Sequence, residues 1–589
     1  SLRAQVSTDI TDVKQTLKYE SEQPNSLYDP NGSFQSINRR YDIVYGDVML
    51  NFNYNINRFD IAATVGWTGR YENMNNMRVS TNGGLVTENW FDLNASRYTP
   101  SSTLQRMELL KTGYMGTLSL GWDNYLFLEL TGRQERSSTL KDQSFFYPSA
   151  NLSFLFTQAF HMPSWWNYGK LRLSYGIVGN APETYTANIV YEQGSDNGFT
   201  WNTIPSSWGN ADIRPEKKYE YEIGLESKFL NNRLGIDISY YNNRVKDQIL
   251  STPQPSTSGV KNVLMNVGEV ANRGWDISIS ATPILTRDFR WDLTANYGVY
   301  KNKVVKLADG VPYLEILNSG GSGIKIQAVE GQPMGDIYAQ VPQVNENGAY
   351  LVSDKGLYLN QTELQKVGNI NPAGVGGLFN SFSYKNVFLD FSIDFRIGGD
   401  VINEMNQYAT AVGLTPESLK YRDTEHGGLS YYYPGDNNSS GIPVQVDPST
   451  GAGPNGEIIY HDGIILPGVV ASTGERNTRI IPAGYYYNTT YNWGTEAEQL
   501  TYRHSVFDNS YVKLRELTIG YQFPEKMISK LGLGRLSVSV FGRNLFYFYK
   551  ALKNYDAESS VGTSWANQAT VGSSTTATRS FGVSLRASF

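Results

Sequence analysis

Segment 217–250 alternates apolar and polar residues in two arms joined by a short polar turn. In the first arm Tyr221 and Leu225 belong to an apolar set that alternates with Glu and Gly, which is the period of two that a β-strand requires. The pair Asn231 and Asn232 predicts the turn, because asparagine tolerates the positive φ of tight hairpins. The segment is therefore predicted to be a β-hairpin with one apolar and one charged face.

The arms of this hairpin are long. Each has about ten residues or more, whereas a strand of a soluble protein usually has about five or six. Long strands with an apolar and a charged face fit a membrane-spanning barrel, which has lipid outside and water inside. A large soluble β-sandwich is the alternative that one hairpin leaves open. The repetition of the unit favours the barrel, since similar two-faced pairs lie at 47–67, 118–130, 275–299 and 378–397.

Counting the alternating segments predicts about sixteen strands, from 2–19 to 580–589. Turns of a few residues alternate with long segments rich in Gly, Asn, Ser and Tyr, at about 74–110, 181–216, 248–266, 304–373, 400–509 and 549–575. Outer-membrane barrels have this asymmetry, with short periplasmic turns and long extracellular loops. The last strand also ends on an aromatic residue, Phe589. We therefore predict an all-β fold, a transmembrane antiparallel β-barrel in the bacterial outer membrane.

The composition argues against several classes of protein. The 589 residues include no Cys, which excludes a disulfide scaffold and a thiolate metal site. A net charge of −6 argues against a nucleic-acid partner, which would require a clustered basic face. No run of about eighteen apolar residues predicts a spanning helix, and the opening SLRAQV is not a signal peptide.

Motifs for catalysis or metal binding do not stand out. Of the four His, His426 and His461 lie in the longest predicted loop, and neither has a second ligand four residues on. The G-x-S-x-G motif of a hydrolase nucleophile is absent from the sequence. We therefore predict a protein that is not an enzyme and that has no catalytic residues, no cofactor and no metal site.

The long loops carry groups of aromatic residues beside Asn, Asp and Gly. Binding residues commonly lie on loops that a rigid scaffold holds, so we expect the substrate to bind there. Flat rings stack on sugar faces, and the same groups also hold a peptide backbone. The candidate substrate-binding residues are Trp201, Trp208, Tyr431, Tyr432, Tyr433, Tyr485, Tyr486 and Trp493. The alternative for each is the aromatic girdle at the membrane interface, or packing between the loops and a partner protein.

One run resembles a known family. The sequence IRPEKKYEYEIGLESKFLNNRLGIDISYYNNRVKDQIL at 213–250 is similar to a pattern of the SusC/RagA-type TonB-dependent transporters of Bacteroidota. Further stretches agree in the same order, and they include NVGEVANRGWDISIS (266–280), VEGQPMGDIYA (329–339), VGNINPAGVGGLFNSFSYKNVFLDFSIDFRIGGD (367–400), HDGIILPGVV (461–470), SYVKLRELTIGYQFPEKMISKLGL (510–533), RLSVSVFGRNLFYF (535–548) and TRSFGVSLRASF (578–589). So many ordered matches are more specific than any single motif.

The resemblance implies a barrel of about 22 strands, closed by an N-terminal plug through which TonB acts. It also implies a SusD-like surface lipoprotein as a lid, contact with outer-membrane lipid, and a dimer of transporter–lid pairs. Because about sixteen strands and no plug can be found, we expect residues 1–589 to be the C-terminal part of such a barrel. A barrel of sixteen strands that is complete in itself is the alternative.

Two hypotheses about function follow. The first is TonB-dependent import of oligosaccharides, or second of oligopeptides, across the bacterial outer membrane together with the lid. The competing class is a passive porin or surface adhesin that uses the long loops for contact. Uptake in cells that lack TonB distinguishes them, because only the first needs an energy source.

Overall fold

The computed structural model describes residues 1–22, 29–141, 143–196, 198–319, 323–435, 441–491, 501–559, 564–571 and 577–588. Sixteen of its strands form one sheet in which each strand is hydrogen-bonded to its neighbours in the chain. These strands are β1 Leu2–Tyr19, β2 Ser33–Ile56, β3 Phe59–Leu85, β4 Ser96–Trp122, β5 Leu126–Ser137, β6 Ser144–Phe154, β7 Trp166–Asn180, β8 Glu216–Phe229, β9 Leu234–Lys246, β10 Glu269–Leu285, β11 Phe289–Lys306, β12 Gly374–Tyr384, β13 Val387–Ile397, β14 Tyr511–Gln522, β15 Arg535–Lys550 and β16 Ser580–Ser588. The predicted all-β class and the count of about sixteen strands are confirmed.

The turns follow the chemistry that the sequence predicts. Asn231 and Asn232 have φ of 57° and 62°, and the preceding Leu230 also has a positive φ of 55°. The two-residue turn after β2 begins with Asn57 at a φ of 51°. Asparagine enters this left-handed region at little cost, so these positions define where each hairpin reverses.

One predicted loop is much shorter than expected. The segment 74–110 lacks clear alternation, yet most of it belongs to β3 and β4, and the connection is only 86–95. Cross-strand pairs continue from Asn73 with Glu108 to Ser80 with Ser101. Polar residues on both faces of a strand hide its period, while the backbone hydrogen bonds to the neighbouring strand remain available.

The sixteen strands of this sheet are called the wall strands below, and their exposed face is apolar. In β16 the side chains of Phe581, Val583 and Leu585 are 73%, 72% and 68% exposed. In β8, Tyr221, Ile223 and Leu225 are likewise exposed, while the residues between them are half-buried or buried. A water-soluble sheet shows the opposite pattern, so this face is suited to an apolar surrounding.

The chain divides into two compact units, 1–227 with 239–271 and 308–310, and 228–238 with 272–307 and 311–589. The long loops of the first unit contain the strands Glu192–Asp196, Phe199–Thr203, Ser207–Trp208, Ile249–Pro253 and Asn262–Asn266. Those of the second contain Tyr313–Ser319, Ile324–Val329, Asp336–Ala339, Leu351–Val352, Gln365–Asn369, Asp400–Ile402, Leu429–Tyr432, Val444–Gln445, Tyr460–Ile464, Val469–Val470, Ile481–Pro482 and Val506–Asp508.

The helices are short and lie between strands. They are α1 Phe156–Ala159, α2 Glu404–Ala411, α3 Ala483–Tyr491 and α4 Glu525–Ile528. None of the helices in the described part of the chain is long and apolar enough to cross a membrane.

Candidate substrate-binding site

The long loops of the second unit share an apolar core. Ile324 and Ile337 from the loop after β11, Ile402 and Tyr502 from the loop after β13, and Ala569 from the loop after β15 are buried in one cluster. Burial of aliphatic side chains stabilises the loops by about 25 cal/mol for each Å² removed from water. The loops are therefore held in shape before a ligand arrives, which lowers the entropy cost of binding.

Three tyrosines of the loop after β13, Tyr431, Tyr433 and Tyr460, form a separate cluster and are called the floor tyrosines below. The side chains of Tyr431 and Tyr433 are only 1% and 5% exposed. The Tyr431 ring lies 5.5 Å from the rings of both Tyr433 and Tyr460, and its hydroxyl donates a hydrogen bond to Asp462 Oδ1 at 3.1 Å. Burial raises the pKa of Tyr431, and the Asp462 carboxylate adds to the rise, so the phenol stays protonated and keeps this bond.

Helix α3 carries a second group of rings. Tyr486 lies 5.1 Å from Tyr487 and 6.1 Å from Tyr491, measured between ring centroids. The Tyr487 hydroxyl donates to the Glu417 carbonyl oxygen at 2.8 Å, and burial raises the pKa of Tyr487 to about 12. Tyr491 stacks on His504 with 4.5 Å between centroids. These rings fasten α3 to its surroundings, since aromatic pairs add about 0.5–1.5 kcal/mol to area burial.

A cleft of about 440 Å³ opens beside these two groups. Tyr433 and Tyr485 line it together with two cationic residues, Lys355 and Arg479. Tyr433 is one of the floor tyrosines, while Tyr485 lies on α3. The cleft thus combines flat rings with positive charge, an arrangement that suits a ligand with an apolar or planar face and an anionic group.

The remaining candidates lie in the loop after β7 of the first unit. Trp201 pairs with Gly194 across the two-stranded ribbon 192–203, and its ring fills the space in which a Cβ at Gly194 would stand, at 2.7 Å from that position. Trp208 lies edge-on to Tyr191 with 6.0 Å between ring centroids. Trp201 is 45% exposed, and Trp208 is half-buried.

The histidine contacts in the loops are structural. His461 Nδ1 lies 2.8 Å from Ser430 Oγ, but Ser430 is buried, and the neighbouring Asp462 bonds the floor tyrosine instead of the imidazole. A buried hydroxyl without an oriented base does not form a nucleophile site. Among the residues that the structure describes, no three His, Asp or Glu are grouped so that they could hold a metal ion.

The predicted site residues have different surroundings in the structure. Tyr431, Tyr433 and Tyr486 pack against other loop residues of this chain. Tyr432 is half-buried, with its ring 3.0 Å from the Cβ position of Gly453. Trp493 lies outside the described residues. For all of these residues, as for the two tryptophans and Tyr485, a binding role stays a prediction.

Sequence reasoning missed the two cations of the cleft. Lys355 and Arg479 are far apart in the chain and lie in polar stretches that look like ordinary solvated loop. No local spacing links them, because the contact depends on how two parts of the loop assembly fold against each other. Aromatic clustering was the only signal that pointed to this region.

Comparison with known proteins agrees with the fold. A family model described as "TonB dependent receptor-like, beta-barrel" matches residues 1–343, more than half of the chain. TonB-dependent receptor P3 of Formosa agariphila is 25% identical over 483 residues, covering 76% of this chain and 42% of the relative. TonB-dependent receptor SusC of Bacteroides thetaiotaomicron is 28% identical over 250 residues, covering 38% of this chain and 24% of the relative. The chain therefore spans less than half the length of these relatives.

Solved structures show the same architecture. The structure of the RagAB peptide transporter aligns with a TM-score of 0.69 at 18% identity, covering 94% of this chain and 57% of that chain. The RagAB peptide importer in its "open-open" state aligns with a TM-score of 0.70 at 18% identity, covering 100% and 59%. At this identity the likeness concerns the fold.

Proposed function

The chain belongs to the TonB-dependent receptor-like β-barrel family, and on that premise we propose that it forms the wall and outer loops of an energy-coupled importer of the bacterial outer membrane. The observation that carries the proposal is the exposed apolar face of the wall strands, of which Phe581 and Val583 are the clearest examples. Acyl chains would cover this face. Polar contacts such as that of Arg172 with Glu226, 3.5 Å apart, suit the wet side of the wall.

The proposed coupling is to TonB, through a plug that completes the transporter. The SusC name of one relative supports this assignment, as do the ordered sequence matches to the SusC/RagA type. Import driven in this way predicts that uptake stops in cells without TonB, whereas a passive porin would continue to transport. Labelled oligosaccharide uptake in otherwise identical cells with and without TonB is the deciding measurement.

A SusD-like lipoprotein is the proposed lid. A concentration of exposed apolar residues on the loop after β7 supports a protein contact there, because such residues gain free energy when a partner removes them from water. These residues are Ile189, Val190, Tyr191, Phe199, Trp201 and Ile204, all of which are exposed. Assembly as a dimer of transporter–lid pairs is part of the same proposal.

The proposed substrate is an oligosaccharide, with an oligopeptide as the second choice. The cleft lined by Tyr485, Lys355 and Arg479 supports a ligand that offers a flat face and an anionic group. A sugar that carries a carboxylate or sulfate would match both features of the cleft. Aromatic rings stack on sugar faces, and Arg binds such anions through two parallel hydrogen bonds. A peptide would use its terminal or side-chain carboxylate in the same place.

Binding to the purified receptor with its lid tests the substrate class. We expect Arg479→Gln to weaken binding of an acidic oligosaccharide about tenfold, since a charge-assisted hydrogen bond contributes about 1.5–3 kcal/mol. Binding of the neutral sugar should change little. Arg476→Gln is the matched control, because Arg476 is exposed nearby and does not line the cleft. Tighter binding of a peptide with a free C-terminus than of either sugar would favour the second choice.

A further inference from the structure

A second pocket lies on the outside of the wall in the first unit. It has a volume of about 210 Å³ and lies between β7, β8 and β9. Its lining consists of Tyr175, Tyr219, Glu220, Tyr221, Asn242, Arg244 and Lys246. Tyr175 and Tyr221 are 48% and 45% exposed and belong to the apolar face of their strands. This pocket therefore opens on the same side as the face that acyl chains would cover.

Two cations complete this outer pocket. Arg244 and Lys246 are exposed, whereas Asn243, which precedes Arg244 and lies on the opposite face of the strand, is buried. Residues two apart on a strand share a face and are about 7 Å from each other. The Lys246 ammonium lies 5.9 Å from the centroid of the Tyr219 ring. Positive charge and tyrosine rings thus occupy one patch, as they do at a membrane interface.

The height of the pocket along the wall matches the edge of the lipid core. Leu234 begins β9 beside the short turn, and Arg244 stands ten residues further along the strand. At about 3.3 Å per residue and a tilt of roughly 40°, this distance is about 25 Å along the membrane normal, which is the usual height of the apolar band. Arg244 and Lys246 therefore reach the headgroup level on the side of the long loops.

The charges around the pocket leave it positive. Arg244 pairs with Glu269, with 3.1 Å between Nη1 and Oε1. Glu220 accepts a hydrogen bond from Asn243 at 2.9 Å and pairs with Lys218 at 2.7 Å. After these ion pairs are subtracted, the pocket keeps one net positive charge, that of Lys246. A negatively charged group is the complement of such a site.

We propose that this outer pocket binds the phosphate of an anionic membrane-lipid headgroup, with Arg244 and Lys246 as its ligands and the tyrosines against the adjoining part of the lipid. The inference rests on the membrane placement in the proposed function and adds a lipid site to it. Basic residues near a membrane surface attract anionic lipid by about 1 kcal/mol each. Removal of both should weaken binding about 30-fold.

The test uses the full-length receptor with its lid, purified in detergent and stripped of lipid. Native mass spectrometry then measures retention of phosphatidylglycerol, of zwitterionic phosphatidylcholine and of inorganic phosphate. We expect the wild-type protein to retain phosphatidylglycerol preferentially and the double variant R244Q/K246Q to lose this preference about 30-fold. The charge-preserving variant R244K/K246R should restore it.

A matched control separates this site from general surface charge. R39Q/R40Q removes two exposed cations from β2 of the same unit and should leave the preference unchanged. The proposal would be overturned if R244Q/K246Q and R39Q/R40Q lost the preference for phosphatidylglycerol to the same extent, or if both retained it. Retention of inorganic phosphate with the same dependence on Arg244 and Lys246 would overturn the assignment to a lipid. A wild-type receptor that stays dissolved without detergent would instead contradict the membrane placement on which the inference rests.

Discussion

Replacing Glu558 by Gln should release part of the last long loop from the wall. The Glu558 carboxylate lies in the loop after β15 and accepts hydrogen bonds from Lys513 Nζ at 2.6 Å and from Arg515 at 2.8 and 2.6 Å. The Lys513 side chain is only 2% exposed. Its ammonium also lies 4.8 Å from the centroid of the Tyr547 ring. Glu558→Gln keeps the size of the side chain and removes the negative charge that balances this buried cation.

The expected cost is about 2 kcal/mol. Removing one partner of a buried ion pair costs about 3–5 kcal/mol, because the other charge stays buried. Glu558 is about one-third exposed, so water already screens part of its charge. The Tyr547 ring offsets a further part, about 0.5–1 kcal/mol for a cation over an aromatic face. A cost of about 2 kcal/mol raises the population of locally open loop about 30-fold.

Hydrogen exchange of segment 551–559 in the full-length receptor measures this opening. Glu558→Gln should speed exchange of the segment about 30-fold, whereas Glu516→Gln should change it less than about threefold. Glu516 pairs with Arg543 at 3.2 Å, but both side chains are more than one-third exposed. The double variant K513M/E558Q should exchange more slowly than Glu558→Gln alone, since it removes the unbalanced cation. Equal rates in Glu558→Gln and Glu516→Gln would refute the reasoning.

The same contact predicts a pH dependence with a defined sign. Burial acts to raise the pKa of Glu558, but the hydrogen bonds from Arg515 and Lys513 outweigh it and hold the pKa at about 2. Because this value is depressed below the ordinary 4.5, the stabilisation is complete above the ordinary value and is lost as the pH falls towards about 2. The protection factors of 551–559, which correct for the intrinsic pH dependence of amide exchange, should fall over that window in the wild type and stay constant in Glu558→Gln.

Three further outcomes are expected. Tyr485→Leu should weaken oligosaccharide binding about fivefold in calorimetry, because the ring is lost from the cleft while its apolar volume remains; unchanged affinity would remove Tyr485 from the site. Burial, with the nearby Arg503 charge, lowers the pKa of His504 to about 4. As the pH falls, the unfolded chain therefore binds a proton at this histidine before the folded chain does. The melting temperature should fall between about pH 6.5 and pH 4 in the wild type, and should fall less in His504→Gln. Replacing Phe199 and Trp201 by Asp should abolish co-purification of the lid, while Leu414→Asp, at a position about as exposed as Phe199, should not; loss in both would point to a general folding defect.

The wall of this protein could be predicted from sequence because its two faces meet different surroundings. Strict alternation, as in β8 and β13, reports which side of each strand is apolar, and Asn at the turns reports where the chain reverses. Prediction was poorer where both faces of a strand are polar. The outer parts of β3 and β4 pair along their whole length although their side chains show no period. Backbone hydrogen bonds and side-chain contacts such as the 2.7 Å bond between Ser80 Oγ and Ser101 Oγ join those pairs, and neither produces an apolar period in the sequence.

The binding site could be predicted only as a region. Aromatic clusters in the sequence pointed to the loops. Some of these rings are buried in the loop core and others are exposed, and composition does not distinguish the two. Tyr431 and Tyr432 are adjacent in the chain, but one is almost fully buried and the other is half-buried. Strand geometry turns neighbouring side chains to opposite faces, so which of the two faces the loop core depends on how the small loop sheets stack. That stacking involves residues from distant parts of the chain.

Because several loop tyrosines are buried, the number of tyrosines in the loops is a poor guide to ligand specificity. The Tyr431 ring is only 1% exposed and packs against other tyrosines, so the abundance of tyrosine in the loops reports internal packing as well as surface available to a ligand. On the proposed function, discrimination between ligands falls to the groups that line the cleft, among which Arg479 and Lys355 are charged. A ligand that leaves a charged group unpaired loses more binding free energy than one that leaves an aromatic ring unstacked, because the desolvated charge has no hydrogen-bond partner. Exchange of the cations at the cleft should therefore change which substrate is accepted, while exchange of Tyr431 or Tyr460, which do not line the cleft, should change the stability of the loop fold.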